Sequence, residues 1–151
     1  MKKLPILVTG AALAAIALPA HAVFKISATR SDVFLTTAAS AALPLNDAGA
    51  TMRTFNLASA KAMVLHYSAV CIAGGSTGWI DIDIVVNGVV VAPTVGNFDP
   101  FCSPDSGLIR AAITVRIQGI AGNNTVQIIG RRNGGTTIMQ LGYSSLLVFD
   151  P

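Results

Sequence analysis

The sequence predicts an all-β protein: one antiparallel β-sandwich, jelly-roll-like, stapled by one disulfide. Three observations carry that reading. All seven acidic residues are Asp and there is no Glu, whereas helix surfaces favour Glu and Lys because straight side chains lose little rotamer freedom there. Short runs rich in Val, Ile and Thr recur between Gly, Pro and Asn punctuation, which is the pattern of strands and turns. Two cysteines, Cys71 and Cys102, lie beside polar segments.

The elements follow in order. Lys2 and Lys3, the apolar run Ile6 to Leu18 and the small-x-small tripeptide Ala20-His21-Ala22 match a secretory signal peptide over residues 1–22. The alternative is an N-terminal membrane anchor, but the run falls short of the ~20 apolar residues a span needs. The mature chain is expected to start at Val23, in the periplasm or outside the cell, with no membrane span. Residues 23–151 form one domain, long enough to bury a sizeable core. Removing the signal takes Lys2 and Lys3 from ten cations, leaving eight against seven acids, a net charge of +1.

Val23 to Ser27 and Asp32 to Thr37 read as a short strand pair. Ala38 to Ala50 reads as a loop, and Thr51 to Leu57 alternates moderately. Lys61 to Cys71 reads as a long strand with Met63, Leu65, Tyr67, Ala69 and Cys71 on one face, although a helix also fits Leu57 to Leu65. Gly74 to Gly78 is a turn. Trp79 to Val86 alternates, then Asn87-Gly88 precedes Val89 to Ala92; Asn-Gly between β-branched runs is the preferred two-residue hairpin turn, since both residues tolerate positive φ. Ile80, Ile82 and Ile84 then face the core, and Trp79, Asp81, Asp83 and Val85 face outward. Thr94 to Gly107 is a polar loop carrying Cys102. Leu108 to Gln118, Thr125 to Arg131, Ile138 to Leu141 and Ser144 to Phe149 complete the strands, with a turn at Gly122 to Asn124.

In an oxidising compartment an even cysteine pair favours a Cys71–Cys102 disulfide. The alternative, a pair of thiolate metal ligands, would have only His66 to join it in the mature chain. No motif implies a cofactor. Asp81 and Asp83 are the candidate cation ligands, with Asp99 or Asp105 from the loop, because Ca²⁺ takes six to eight oxygens. The competing expectation is that both carboxylates are simply solvated and guard the hairpin against edge pairing. A Ser-His-Asp triad could be drawn through His66, and Asp81 with Asp83 could flank a glycosidic bond. Composition permits both and spacing compels neither. Arg131-Arg132 reads as a solvated turn; a near-neutral domain releases few counterions, which argues against a nucleic-acid partner.

The segment Ala62 to Cys102 resembles a group of uncharacterised secreted bacterial β-sandwich proteins. It shares a Cys after the first long strand, the Trp79-Ile80-Asp81-Ile82-Asp83-Ile84 hairpin followed by Pro93, and Phe101-Cys102 before a polar loop. The match runs over Thr51 to Asp150. A weaker resemblance, to C1q/TNF-like jelly rolls, rests on Val64 to Val70, the hairpin, and the closing Tyr143-Ser144-Ser145-Leu146-Leu147-Val148-Phe149. The chain departs from that class in having nine aromatics (six Phe, two Tyr, one Trp). These resemblances imply a fold and a compartment. The expected function is an exported, non-enzymatic binding or structural module that self-associates as a homo-oligomer; its protein or glycan ligand is unspecified. The alternative is a secreted hydrolase or carbohydrate-active protein. Contiguous apolar positions around Val85, Val89 and Val91 call either for an interface or for a covering layer.

Overall fold

The Asn87-Gly88 turn is the tip around which the described strands fold. Both residues have positive φ, 52° and 80°, the geometry of a type I′ turn. The computed structural model describes residues 22–74, 77–92, 100–103 and 108–151. These hold nine strands and no helix: β1 (Phe24–Thr36), β2 (Ser40–Ala42), β3 (Arg53–Leu57), β4 (Lys61–Gly74), β5 (Trp79–Val86), β6 (Val89–Ala92), β7 (Ile109–Gly119), β8 (Gly122–Asn133) and β9 (Ile138–Phe149).

All pairings are antiparallel and nested about that turn. β5 pairs β6, β4 pairs β7, β2 and β3 both pair β8, and β1 pairs β9. Counting β2 and β3 as one interrupted strand, this is a single eight-stranded hairpin. Two further pairings, β4 with β9 and β5 with β8, roll it into two sheets. Their orders are β1-β9-β4-β7 and β2-β8-β5-β6, with β3 also on β8. That is the jelly-roll arrangement, two sheets packed face to face.

The core lies between the sheets and follows from alternation. Met63, Leu65, Tyr67, Ala69 and Cys71 of β4 meet Ile80, Ile82 and Ile84 of β5, all buried. Each large aliphatic side chain so buried is worth roughly 1.5–3 kcal/mol of transfer free energy. The expected faces of both strands are therefore as observed. The strand expected from Lys61 forms, and the alternative helix over 57–65 does not: β3 ends at Leu57 and β4 begins at Lys61.

Four expectations are corrected. The two strands read at Val23 to Ser27 and Asp32 to Thr37 are one strand, β1, and those at Ile138 to Leu141 and Ser144 to Phe149 are one strand, β9. The apparent breaks are bulges. β9 gains one residue on β4 across 142–145, and β1 gains one on β9 across 30–33. The inward set of β9 therefore switches from Met139 and Leu141 to Ser144, Leu146 and Val148, as an extra residue in a period-two pattern must do. Gly142 sits at the crossing because a Cβ there would lie 3.0 Å from Val33 Cγ2. The loop expected at 38–50 contains β2, and the turn expected at 122–124 lies inside β8.

Cys71 and Cys102 are bonded, with Cα atoms 6.1 Å apart and a sequence separation of 31. Cys102 also exchanges two backbone hydrogen bonds with Ile80, its N–H donating at 3.0 Å and its carbonyl accepting at 2.9 Å. The disulfide thus ties β4 of one sheet to the start of β5 in the other. Such a bond suits an oxidising compartment. Residues 1–21 of the expected signal segment and most of the 94–107 loop, including Asp99 and Asp105, lie outside the described residues. No helix of the described residues is long and apolar enough to cross a membrane.

Candidate functional site

Each candidate catalytic group is already held by a neighbour. On the outer face of the five-stranded sheet, Asp81 lies opposite Arg131 and Asp83 opposite Ile129. The pairing of charges is diagonal. The Arg131 guanidinium bridges to Asp83, and the Asn133 amide donates to Asp81. Asp83 is 8% exposed. The expectation of two simply solvated carboxylates is therefore corrected: β8 delivers a guanidinium that screens Asp83 from water. A cation there would have to displace Arg131. Among the described residues, no three His, Cys, Asp or Glu side chains are gathered to hold a metal.

Arg132 is not a solvated turn residue either. Its Nε donates to the Ala38 carbonyl at 2.8 Å, and its Nη1 donates to the carbonyls of Thr136 and Thr137 at 2.8 and 2.6 Å. It binds the β1–β2 connection to the β8–β9 turn. The fork of donors on a guanidinium suits this role.

His66 lies on the other sheet, on the outward face of β4, with its Nδ1 2.8 Å from Thr114 Oγ1 of β7. It is thus across the sandwich from Asp81 and Asp83. Residues 74–78 do have Gly-x-Ser-x-Gly spacing, a feature the triad reading overlooked. That motif works as a strand-to-helix elbow, and Gly74 instead ends a strand in a structure without helices among the described residues. Gly74 is eight residues along β4 from His66, about 26 Å at strand rise. Ser76 itself lies outside the described residues.

One polar side chain was illegible in the sequence. Asn124 is fully buried. Its Oδ1 accepts from Ile120 N at 2.8 Å and Asn87 Nδ2 at 3.0 Å, and its Nδ2 donates to the carbonyls of Ile120 and Gly122. It locks the β5–β6 hairpin to the β7–β8 turn, fully satisfied as a buried amide must be. Tyr67 is buried among the core strands, its ring centroid 5.8 Å from that of Phe101. Burial pushes its hydroxyl pKa up to about 12, a hydrogen bond with Ser144 pulling the other way.

The outer face of the four-stranded sheet is where apolar groups meet water. Register aligns Phe24, Phe149, Val64 and Arg116 at one end, then Ser27, Leu147, His66 and Thr114. The middle row is small: Thr29, Ser145, Ser68 and Ala112. Beyond the bulges come Val33, Val70 and Arg110, then Leu35, Gln140 and Ile72. A shallow depression there is lined by Val33, Val70, Ile72, Leu108, Gln140 and Tyr143. Leu35 is 58% exposed and Tyr143 54%. Tyr143 stands out from the sheet because its φ is +48°, in the left-handed region unusual for a bulky residue. Of the apolar positions at the hairpin, Val89 is exposed, as is Val90, whereas Val85 and Val91 are half-buried.

No protein-family model matches the chain, and no curated protein matches it. Among solved structures, dimeric latent PorU from Porphyromonas gingivalis is similar over 87% of this chain and 14% of that one, at 9% identity and a TM-score of 0.40.

Proposed function

We propose that this chain is an exported, non-enzymatic binding or structural module that self-associates through the outer face of its four-stranded sheet. The observation that carries this reading is the exposed apolar band of Val33, Leu35 and Tyr143 beside Val70 and Ile72. Contiguous apolar surface on a folded domain marks interaction sites. The engagement of Asp83 by Arg131 and of His66 by Thr114, on opposite outer faces, adds support, since a hydrolase brings such groups together. The signal-like N-terminus and the disulfide support export. Sedimentation velocity over a concentration series tests the reading. The parent chain is expected to grow in weight-average mass, and the double variant Leu35→Ser with Tyr143→Asn to remain monomeric at equal melting temperature. Asn is chosen because it tolerates left-handed φ. A parent that stays monomeric throughout, or ester or glycoside turnover abolished by His66→Ala, would overturn it.

A further inference from the structure

We propose that the free edge of β7 is a docking site for an extended segment of another protein, with apolar and acidic residues in alternation. This deepens the binding-module reading above and rests on it.

Four observations converge on the edge. β7 ends the four-stranded sheet; among the described residues no strand pairs with it on the side away from β4. It is straight: its pairing with β4 runs from Ile109↔Cys71 to Gly119↔Lys61 without a register shift. It contains no Pro and no inward-facing charge, two of the devices that ordinarily blunt an edge. Its inward row is unfinished, because Ile109, Ala111, Ile113 and Val115 pack against the core yet stay partly exposed, and only Ile117 is fully buried.

The outward row sets the partner's chemistry. Arg110 and Arg116 are exposed and make no ion pair among the described residues. The four strands of this sheet carry Lys25, Arg30, Arg110 and Arg116, besides Lys61, which pairs with Asp150 just past β9, against one acid, Asp32, which lies in the bulge of the opposite edge strand. An added strand places successive side chains on alternate faces. One set meets the unfinished apolar row, and the other meets the two arginines, six residues or about 20 Å apart. Carboxylates on the second set satisfy them, with backbone hydrogen bonds supplying register and affinity, as in strand addition generally. A second copy of β7 fits poorly, since it brings two further arginines and no acid onto the same face.

The test uses the purified chain and three synthetic eleven-residue peptides. One alternates Val with Glu, one alternates Val with Lys, and one holds the Glu peptide's composition in scrambled order. Fluorescence anisotropy is expected to show binding of the Val/Glu peptide alone, weakened by salt. Hydrogen exchange is expected to show protection of alternate β7 amides on binding. Charge reversal, Arg110→Glu with Arg116→Glu, is expected to weaken the Glu peptide at least tenfold and to admit the Lys peptide. Both positions are solvent-facing, so an unchanged melting temperature verifies the fold. No binding, equal binding of the scrambled peptide, or binding without β7 protection overturns the proposal. So does concentration-dependent protection of β7 in the chain alone, which would make a second copy the occupant. None of these outcomes depends on the sedimentation behaviour of the Leu35/Tyr143 variant, so the two readings fail separately.

Discussion

The four-stranded sheet has two edges, and they are built in opposite ways. β1 is bulged twice, between Phe24 and Ile26 and between Arg30 and Val33. At the second bulge the Ser31 N–H and hydroxyl both donate to the Asp47 carboxylate, at 2.7 and 2.8 Å. The loop carrying Asp47 also carries Leu43 and Leu45, each 1% exposed, and β3 packs beside β1. That side of the sandwich is closed. On the β7 side no described strand pairs beyond the edge, and the inward side chains remain half-covered. One edge is bulged and capped; the other, among the described residues, is regular and unpaired. The difference teaches that edge protection is local here. It is spent where the chain must return through β1, and withheld at β7.

Truncation at the two sides should differ most. Leu45→Ala is expected to cost about 2–4 kcal/mol, because the closed side cannot collapse onto the void. Ile113→Ala on β7 is expected to cost less than about 1.5 kcal/mol, since that residue already contacts water. Denaturant unfolding compares them, and equal losses would break the contrast.

Replacing both cysteines with Ser is expected to cost about 2–4 kcal/mol while leaving the fold intact. The bond joins β4, the neighbour of β7, to the other sheet. Hydrogen exchange should therefore accelerate in β7 before β1. Acceleration confined to β1 would show the disulfide serves the wrong side.

Tyr67 adds a dependence on alkali. Its hydroxyl titrates near 12 when folded and near 10 when unfolded. Above pH ~10 the unfolded chain releases the proton first, so stability falls by about 1.4 kcal/mol per pH unit until the folded group ionises too. Unfolding midpoints from pH 9 to 11 should fall in the parent. A Tyr67→Phe variant should lose that slope.

The smallest effect belongs to the β1 cap. The hydrogen bond from the Ser31 backbone, then that from its hydroxyl, hold the Asp47 carboxyl below its usual range. The cap is fully present above the ordinary carboxylate pKa and is lost as pH falls through the lowered value. The Ser31 amide should exchange faster in acid, and Asp47→Asn should reproduce this at neutral pH. An unchanged Ser31 rate in both would remove the cap from the account.

What could be read in advance followed period-two alternation. β4 and β5 keep one phase throughout, so their buried faces and the Asn87-Gly88 tip were legible. β1 and β9 were each divided in two because a bulge breaks the phase, and a one-residue insertion looks like a gap when the partner strand is unknown. Asp83 was misread for a related reason. Parity placed it outward correctly, but the guanidinium that screens it comes from Arg131, a cross-strand neighbour 48 positions later. Arg132 and Asn124 were hidden likewise, because their partners are backbone groups that only the assembled turns bring near. The apolar band depends on the same bulges, which set Val33 and Tyr143 beside each other on the outer face.

Nesting every pair about one turn has a consequence in time. The last of the nine described strands, β9, belongs in the middle of its sheet, between β1 and β4. Until its twelve residues leave the ribosome, the first and fourth strands have no partner to join them. The earliest segment must wait for the latest, a contact pattern associated with slow closure.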